Sequence, residues 1–294
     1  MTREPGATRD ATPRTDCTVD ADGRIIFLLA ARTAFGPHPP RLLLRLRPKK
    51  GQPEKVLHVL DLEPVDGGRL RAVLEPKLAL AEGRWDVYLL PEPAGEPGER
   101  GEPGAGRRRL RPGLRDLRTL VDGQARDWPS PVAVRVPYTT KDGYLAVRAW
   151  LRTAHAEVEG IDLADRTMTV RARLHGATLA EGAAVRLRPR GGKGVVRTLE
   201  PRAGSDGRAF SFTVDYRELA TGHGAEAGSR VWDLSVQPGE AADTAPIRIG
   251  RLLDDVADRK EIFVYPAVAV GDAAVRPYYT VDNDLSVEVT AATA

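Results

Sequence analysis

Glu82-Gly83-Arg84-Trp85-Asp86-Val87-Tyr88-Leu89-Leu90-Pro91 is echoed later in the chain by Gly228-Ser229-Arg230-Val231-Trp232-Asp233-Leu234-Ser235-Val236-Gln237-Pro238. In an extended chain successive side chains alternate, so Trp85, Val87 and Leu89 share one face while Arg84, Asp86 and Tyr88 share the other. In the later stretch Trp232, Leu234 and Val236 share a face, with Val231, Asp233 and Ser235 opposite. The apolar face is kept and the other varies, the pattern of a strand packed on one side. Trp85 and Trp232 are therefore expected in structural cores.

The tryptophans are 147 residues apart (232 − 85), and further echoes follow at nearly the same offset. Leu44-Arg45-Leu46-Arg47-Pro48 matches Val185-Arg186-Leu187-Arg188-Pro189, and Glu63-Pro64 matches Glu200-Pro201. Asp66-Gly67-Gly68-Arg69 matches Ser205-Asp206-Gly207-Arg208, and the run from Val136 to Val147 matches that from Arg276 to Val287. Echoes in one order at so long a spacing indicate whole duplicated domains, not a solenoid. Short alternating segments at 41–47, 55–62, 69–74 and 84–90 are punctuated by Gly and Pro. The expected fold is all-β: two tandem Ig-like antiparallel β-sandwich domains arising from an internal duplication. A disordered leader is expected at 1–16, the first repeat at 17–153 and the second at 154–294. Segments 114–122 and 252–261 are the best helix candidates, although a charged edge strand would explain either. The Gly/Pro/Glu-rich segment 92–106 has collagen-like spacing over too few residues for a triple helix, and reads as a flexible loop insertion.

With 294 residues, two domains of ordinary size can each bury a core. The 44 basic and 41 acidic residues leave a net charge of only +3, which gives no global field for nucleic acid. The single Cys17 rules out an intramolecular disulfide framework, and no stretch has the length and apolarity of a membrane span or signal peptide. Cytoplasmic residence is the expectation.

Catalytic signatures are missing: there is no phosphate-binding P-loop, dinucleotide fingerprint, nucleophile elbow or zinc-protease motif. His38, His58, His155, His175 and His223 are scattered without metal-ligand spacing. Arg190-Gly191-Gly192-Lys193-Gly194 reads as a hairpin turn, and Asp254-Asp255 and Asp282-Asn283-Asp284 as solvated turn acids. Cys17 reads as inert. No catalytic residue, metal ligand or cofactor is expected.

Binding chemistry is more legible. Arg107, Arg108, Arg109, Arg111, Arg115 and Arg118 crowd into one window, where arginine suits bidentate capture of phosphate or carboxylate. A charged edge strand that resists aggregation is the competing reading. Tyr138 and Tyr278 are duplicated and read as structural core tyrosines. Alternation through Leu145, Val147 and Ala149 turns Tyr144, Arg148 and Trp150 to the opposite face, where the second repeat has Asp284, Glu288 and Thr290. Such outward aromatics suit a sugar ring or a protein interface, and Trp150 also suits packing at the domain junction. The candidate binding set is Arg107, Arg108, Arg109, Arg111, Tyr144, Arg148 and Trp150.

The Trp-Asp strands, with the endings Pro137-Tyr138-Thr139-Thr140 and Pro277-Tyr278-Tyr279-Thr280, resemble a known accessory element over about 17–294. Similar β-domains accompany bacterial cell-surface polymer transferases, including actinobacterial glycosyltransferases and glycerophosphotransferases of the teichoic-acid type. The turns Asp142-Gly143-Tyr144-Leu145 and Asp282-Asn283-Asp284-Leu285 carry the same likeness. The resemblance implies a non-catalytic binding or scaffold module, with an anionic glycopolymer or a glycosyltransferase as partner. A "transferase" label would then belong to the neighbouring catalytic domain. A protein–protein interaction module without a glycan ligand, and a transferase with an unrecognised active site, are the alternatives. No nucleic-acid partner is expected, and oligomeric state is left open.

Overall fold

The alternation of Cys17 and Val19, then of Ile25, Phe27 and Leu29, makes two strands that bury one face each. They are joined by a tight turn in which Gly23 donates its N–H to the Asp20 carbonyl at 3.0 Å, with Gly23 at φ +78°. That left-handed conformation carries little penalty without a Cβ. The computed structural model describes residues 12–30, 40–48, 51, 53, 57–90, 106–122, 128–192, 194–222, 228–240 and 245–292. Most of the expected leader and of the 92–106 loop, together with His38, Lys193 and His223, lies outside the described residues.

The chain divides into two compact units, Met1–Gln124 with Arg135–Leu151, and Ala125–Val134 with Arg152–Ala294. The first carries β1 (Arg14–Val19), β2 (Ile25–Ala30), β3 (Arg41–Leu46), β4 (Leu57–Asp61), β5 (Glu63–Val65) and β6 (Arg69–Leu74). There follow β7 (Gly83–Leu90), β8 (Arg108–Arg109), β9 (Arg111–Asp116), α1 (Arg118–Asp122), β10 (Val132–Thr139) and β11 (Leu145–Arg152), of which Val132 to Val134 and Arg152 belong to the second unit. One sheet has the order β5-β6-β2-β1-β9, and the other β10-β11-β7-β3-β4 with β8 also paired to β7. Ile25, Phe27, Leu29 and Leu74 of the first sheet join Leu42, Leu44, Trp85, Val87 and Val147 of the second in one core. Trp85 is fully buried, its Nε1 donating to the Ala81 carbonyl at 3.0 Å.

The remaining strands are β12 (His155–Ala164), β13 (Thr167–His175), β14 (Ala184–Pro189), β15 (Arg197–Leu199), β16 (Arg202–Ala203) and β17 (Ala209–Asp215). After α2 (Tyr216–Ala220) come β18 (Arg230–Gln237), β19 (Ile247–Gly250), β20 (Val268–Val270), β21 (Ala273–Tyr279) and β22 (Leu285–Ala291). Their pairing order is β16-β17-β13-β12-β19-β18-β22-β21-β20, with β14 on β18 and β15 on β14. Strand β19 changes partner along its length: Ile247 and Arg248 pair antiparallel with β18, while Ile249 and Gly250 pair parallel with β12. In the first unit β8 pairs antiparallel with β7 and β9 pairs parallel with β1, on either side of buried Leu110. The fold is thus all-β, with a sandwich core in each unit.

The two units share details of hydrogen bonding. Arg47 N–H donates to the Arg84 carbonyl and Arg190 N–H to the Val231 carbonyl, each at 2.8 Å. Thr140 N–H donates to the Tyr144 carbonyl and Thr280 N–H to the Asp284 carbonyl, again at 2.8 Å. The positive-φ position of that turn is Gly143 in one unit and Asn283 in the other. Register also corrects the sequence matching. Leu46 and Pro189 are the residues opposite Trp85 and Trp232, so Leu44–Arg47 corresponds to Leu187–Arg190, two residues beyond the sequence echo. A shift of two keeps every side chain on its face, which is why the repeated Leu-Arg pattern concealed it. Likewise Arg69 corresponds to Ala209 and not to Arg208, because Arg69 pairs with Ala30 and Ala209 with Arg173 in the same relation.

Other expectations are revised. Only Arg118–Asp122 of the segment 114–122 is helical, the strand β9 running to Asp116. Segment 252–261 has no helix and is a series of turns. The second helix, Tyr216–Ala220, was not anticipated; it starts where the Asp215 carboxylate accepts the Arg217 N–H at 2.9 Å, an N-cap. Tyr278 is half-buried on the outer side of β21, where Tyr279 follows Ala273 and Val275 on the inner side and enters the core with Tyr216; Tyr138 is half-buried on the face of β10 that carries buried Val132, Val134 and Val136. No helix among the described residues is long and apolar enough to cross a membrane.

Candidate functional site: an arginine–tyrosine face on the first unit

In β3 and β7 the pairs Arg45 with Asp86 and Leu43 with Tyr88 stand directly opposite each other. Opposed residues in an antiparallel pair project from the same face. Because Leu44, Trp85 and Val87 enter the core, Arg45, Asp86 and Tyr88 are carried to the outer face. Strand β8 adds Arg109 opposite Tyr88. Asp86 is the centre of the resulting cluster, with only 3% of its side chain exposed. Arg47 Nη2 donates to Oδ1 at 2.5 Å, Arg109 Nη2 to Oδ1 at 3.0 Å and Arg45 Nη2 to Oδ2 at 3.1 Å. Burial opposes ionisation of Asp86, but hydrogen bonds from Arg47 and Arg45 and the charges of Arg47 and Arg109 outweigh it, holding the carboxyl below its ordinary range. The same hydrogen bond raises the pKa of Arg47.

Two tyrosines interleave with the guanidinium groups. Arg107 and Arg45 lie 5.0 and 5.2 Å from the centre of the Tyr88 ring. Arg109 lies 6.0 Å from that ring and 4.2 Å from the centre of Tyr144, and Arg111 lies 5.4 Å from Tyr144. Five arginines, 45, 47, 107, 109 and 111, therefore converge on one carboxylate and two aromatic rings. Arg111 has no carboxylate partner among the described residues. Guanidinium–aromatic stacking fixes the cation while leaving its planar fork of donors directed sideways, the geometry that reads phosphate or carboxylate.

The same register positions in the second unit carry different chemistry. Asp233 corresponds to Asp86 and receives Arg190 Nη2 at 2.5 Å and Nε at 3.1 Å. Ser235 stands at the position of Tyr88, Arg248 at that of Arg109, and Asp284 at that of Tyr144. Asp284 takes Arg248 at 3.1 Å and Arg152 at 2.8 Å. Aromatic rings are thus replaced by a hydroxyl and a carboxylate, and the cations are paired off.

Of the residues expected to bind, Arg107, Arg109, Arg111 and Tyr144 are brought together. Arg108 is not among them, because it pairs with core residue Leu89 and so lies on the opposite side of the strand. The expectation of a wet outer face along 145–150 is corrected: every residue from Leu145 to Trp150 is buried. Trp150, 1% exposed, lies 4.9 Å under the Arg148 guanidinium and presents no ring to solvent. Arg115 and Arg118 are engaged elsewhere, with the Pro137 carbonyl and with Asp116. Arg45, Arg47, Asp86 and Tyr88 were missed. Their signal was present, as an Arg-x-Arg strand opposite a Trp-Asp-x-Tyr strand. The acids of the second unit also differ from expectation. Asp254 is buried and ion-paired with Arg251 and Arg259, and Asp284 with two arginines, so neither is a solvated turn acid. No group of three His, Cys, Asp or Glu placed to hold a metal ion occurs among the described residues.

No family model matches the chain, and no curated protein matches it. Among solved structures, S. aureus TarS aligns over 60% of this chain at 13% identity with a TM-score of 0.36. The chain spans 32% of that TarS structure. A TarS fragment, 217–571, aligns over 73% of this chain and 61% of its own length at 15% identity with a TM-score of 0.29. A marsupial T cell receptor aligns over 95% of this chain and 91% of its own at 7% identity, with a TM-score of 0.26. At these scores the likeness is one of partial shape and assigns no activity.

Proposed function

We propose that this protein is a non-catalytic module of two tandem Ig-like β-sandwich repeats, 17–153 and 154–294, that binds an anionic glycopolymer through the arginine–tyrosine face of the first repeat. The observation that carries this reading is the convergence of five arginines around Asp86, interleaved with Tyr88 and Tyr144. An edge strand that merely resists aggregation needs exposed charges. It does not need guanidinium groups held at fixed distances from two rings and a buried acid. Repeating phosphates along a polymer supply acceptors for the arginine forks, while sugar or polyol carbons can contact half-buried Tyr144; Tyr88 is buried and serves to hold the guanidinium groups. A glycopolymer transferase working on the same chain is the partner that fits such a module.

The test is calorimetric titration with purified poly(glycerol phosphate) teichoic acid, and with neutral dextran, at low and high salt. Saturable binding of the charged polymer that weakens with salt is expected, because exposed phosphate contacts are screened. Arg109→Ala with Arg111→Ala should reduce it, whereas Arg108→Ala should leave it intact. Equal binding of dextran, or equal losses from Arg108 and Arg109 variants, would remove this face from the account.

A further inference from the structure

The second unit contains a cleft of about 350 Å³ at the place where the first unit holds Tyr144. It lies over β18 and β22, bounded by the turn Thr280–Asp284 and by Arg190, Asp233, Arg248 and Ser286. This volume is at the small end of the range for ligand pockets. The substitution that opens it is visible in register: a tyrosine ring at 144 becomes the short Asp284, and Arg248 turns from stacking to ion pairing. We propose that this cleft is a second binding site, for a neutral sugar in its ring form.

The charges decide against an ionic ligand. Arg190 is bound to Asp233, Arg248 to Asp284, and Asp284 is shared with Arg152. Two arginines and three aspartates line the cleft, Asp282 among them at the rim, and Arg152 behind Asp284 brings the local sum to zero. An anion would have to displace a carboxylate from its guanidinium, and a cation the reverse. A neutral polyhydroxylated ligand displaces neither, because ion-paired groups retain further lone pairs and N–H groups for hydrogen bonding. Hydroxyls on adjacent carbons can donate to a carboxylate and accept from a guanidinium in one plane.

The polar groups are also held in place. Ser286 Oγ donates to Asp233 Oδ1 at 2.8 Å, and Arg190 Nη1 donates to the Tyr278 hydroxyl at 3.3 Å. Thr280 Oγ1 accepts the N–H groups of Asp282 and Asp284, each at 3.2 Å, which leaves its proton to donate outward. A fixed array of this kind has paid its ordering cost before the ligand arrives. Val281, 51% exposed at the rim, supplies an apolar contact of the kind that the C–H face of a pyranose takes up and an open-chain polyol does not.

This site does not rest on the reading of the first unit, and the two fail separately. The experiment is a two-dimensional ¹⁵N–¹H titration of the full chain with glucose, galactose, N-acetylglucosamine and maltose, with sorbitol and inorganic phosphate as comparison probes. Expected are saturable shifts at Thr280–Ser286 with at least one sugar, at millimolar concentration, unchanged by added salt and by Arg109→Ala. Val281→Arg, which fills the rim from an exposed position, should abolish them, and Asp282→Asn should weaken them severalfold. Unperturbed resonances elsewhere would show that both variants remain folded. Absence of shifts with every sugar, equal shifts with sorbitol or phosphate, or shifts that survive Val281→Arg would each overturn the proposal.

Discussion

The guanidinium of Arg109 lies 4.2 Å from the centre of the Tyr144 ring, while Arg248, at the corresponding place in the second unit, donates instead to Asp284 at 3.1 Å. One side-chain exchange therefore replaces an aromatic face beside the guanidinium with a carboxylate. The backbone around it is held alike in both units, through the N–H of Thr140 or Thr280.

That exchange can be made deliberately. Tyr144→Asp should give Arg109 a second carboxylate partner besides Asp86 and cancel one unit of positive charge on the first face. Affinity for poly(glycerol phosphate) should fall about tenfold, roughly 1.4 kcal/mol, with little change in unfolding midpoint. Tyr144→Phe keeps the ring and should bind as the parent does. Calorimetry at low salt measures both, and equal losses would show that the ring face is not what matters.

Asp86 should govern acid stability of the first unit. Its folded pKa lies below the unfolded value, so its contribution is complete above about pH 4 and is lost as pH falls through the lowered folded value. Asp86→Asn should cost about 2–3 kcal/mol at pH 7, below the full penalty for breaking a buried pair because Arg47 and Arg109 are partly exposed and can return to water. Denaturant midpoints from pH 6 to 3 should converge for variant and parent. Parallel curves would contradict the assignment.

Glu157 should act in the opposite sense. Burial pushes its carboxyl up to about 7, against the hydrogen bonds donated by the N–H groups of Leu252 and Leu253. His155 Nε2 lies 2.8 Å away, and the charges of Asp254 and Arg259 act on the group from the segment after β19. A raised folded pKa means that the native state holds the proton more tightly. The contribution is therefore complete below the unfolded value near pH 4.5 and declines until about pH 7 is passed, by at most about 1.4 kcal/mol per pH unit. Glu157→Gln should remove that decline. A parent protein equally stable at pH 5 and 7, with the variant tracking it, would refute this.

The two core tryptophans should respond differently to one conservative change. Trp85 Nε1 has the Ala81 carbonyl as partner, whereas the buried Nε1 of Trp232 has none among the described residues. Trp85→Phe sacrifices a satisfied hydrogen bond and should cost about 1 kcal/mol more than Trp232→Phe, which removes an unsatisfied donor. Either tryptophan replaced by Ala should cost about 3–5 kcal/mol. Urea denaturation of the four variants measures the difference.

Alternation made the core face of Trp85, Val87 and Leu89 legible, because a strand packed on one side has a period of two. The same rule failed at Leu145–Trp150, where both sides are buried and Arg148 is enclosed beside Trp150. Alternation assigns sides and says nothing about what covers them. The arginine window was legible as composition, but its centre was not. Asp86 and Tyr88 come from β7 and Arg45 and Arg47 from β3 and its end, and only sheet register brings them beside Arg109. The turn of residues 280–284 was legible as a turn. The part played there by Asn283 was hidden, since it combines a φ of 61° with side-chain bonds to the Arg259 N–H and the Val256 carbonyl, each at 3.0 Å.

The parallel seam between β1 and β9 bears on how the chain is made. Arg14 pairs with Arg111, 97 positions later (111 − 14), and Ala156 pairs with Ile249, 93 positions later (249 − 156). Translation proceeds at about 5–20 residues per second, so for roughly 5–20 seconds each nascent unit has its first strand synthesised and no partner for that edge. During this interval the Ile25-Ile26-Phe27-Leu28-Leu29 hairpin strand lies beside an open ladder, with its lid still on the ribosome. Completion of either unit is thus timed by the arrival of a short strand late in its own sequence, and a pause in translation before Arg111 or Ile249 would prolong the period in which neighbouring nascent chains can pair with each other.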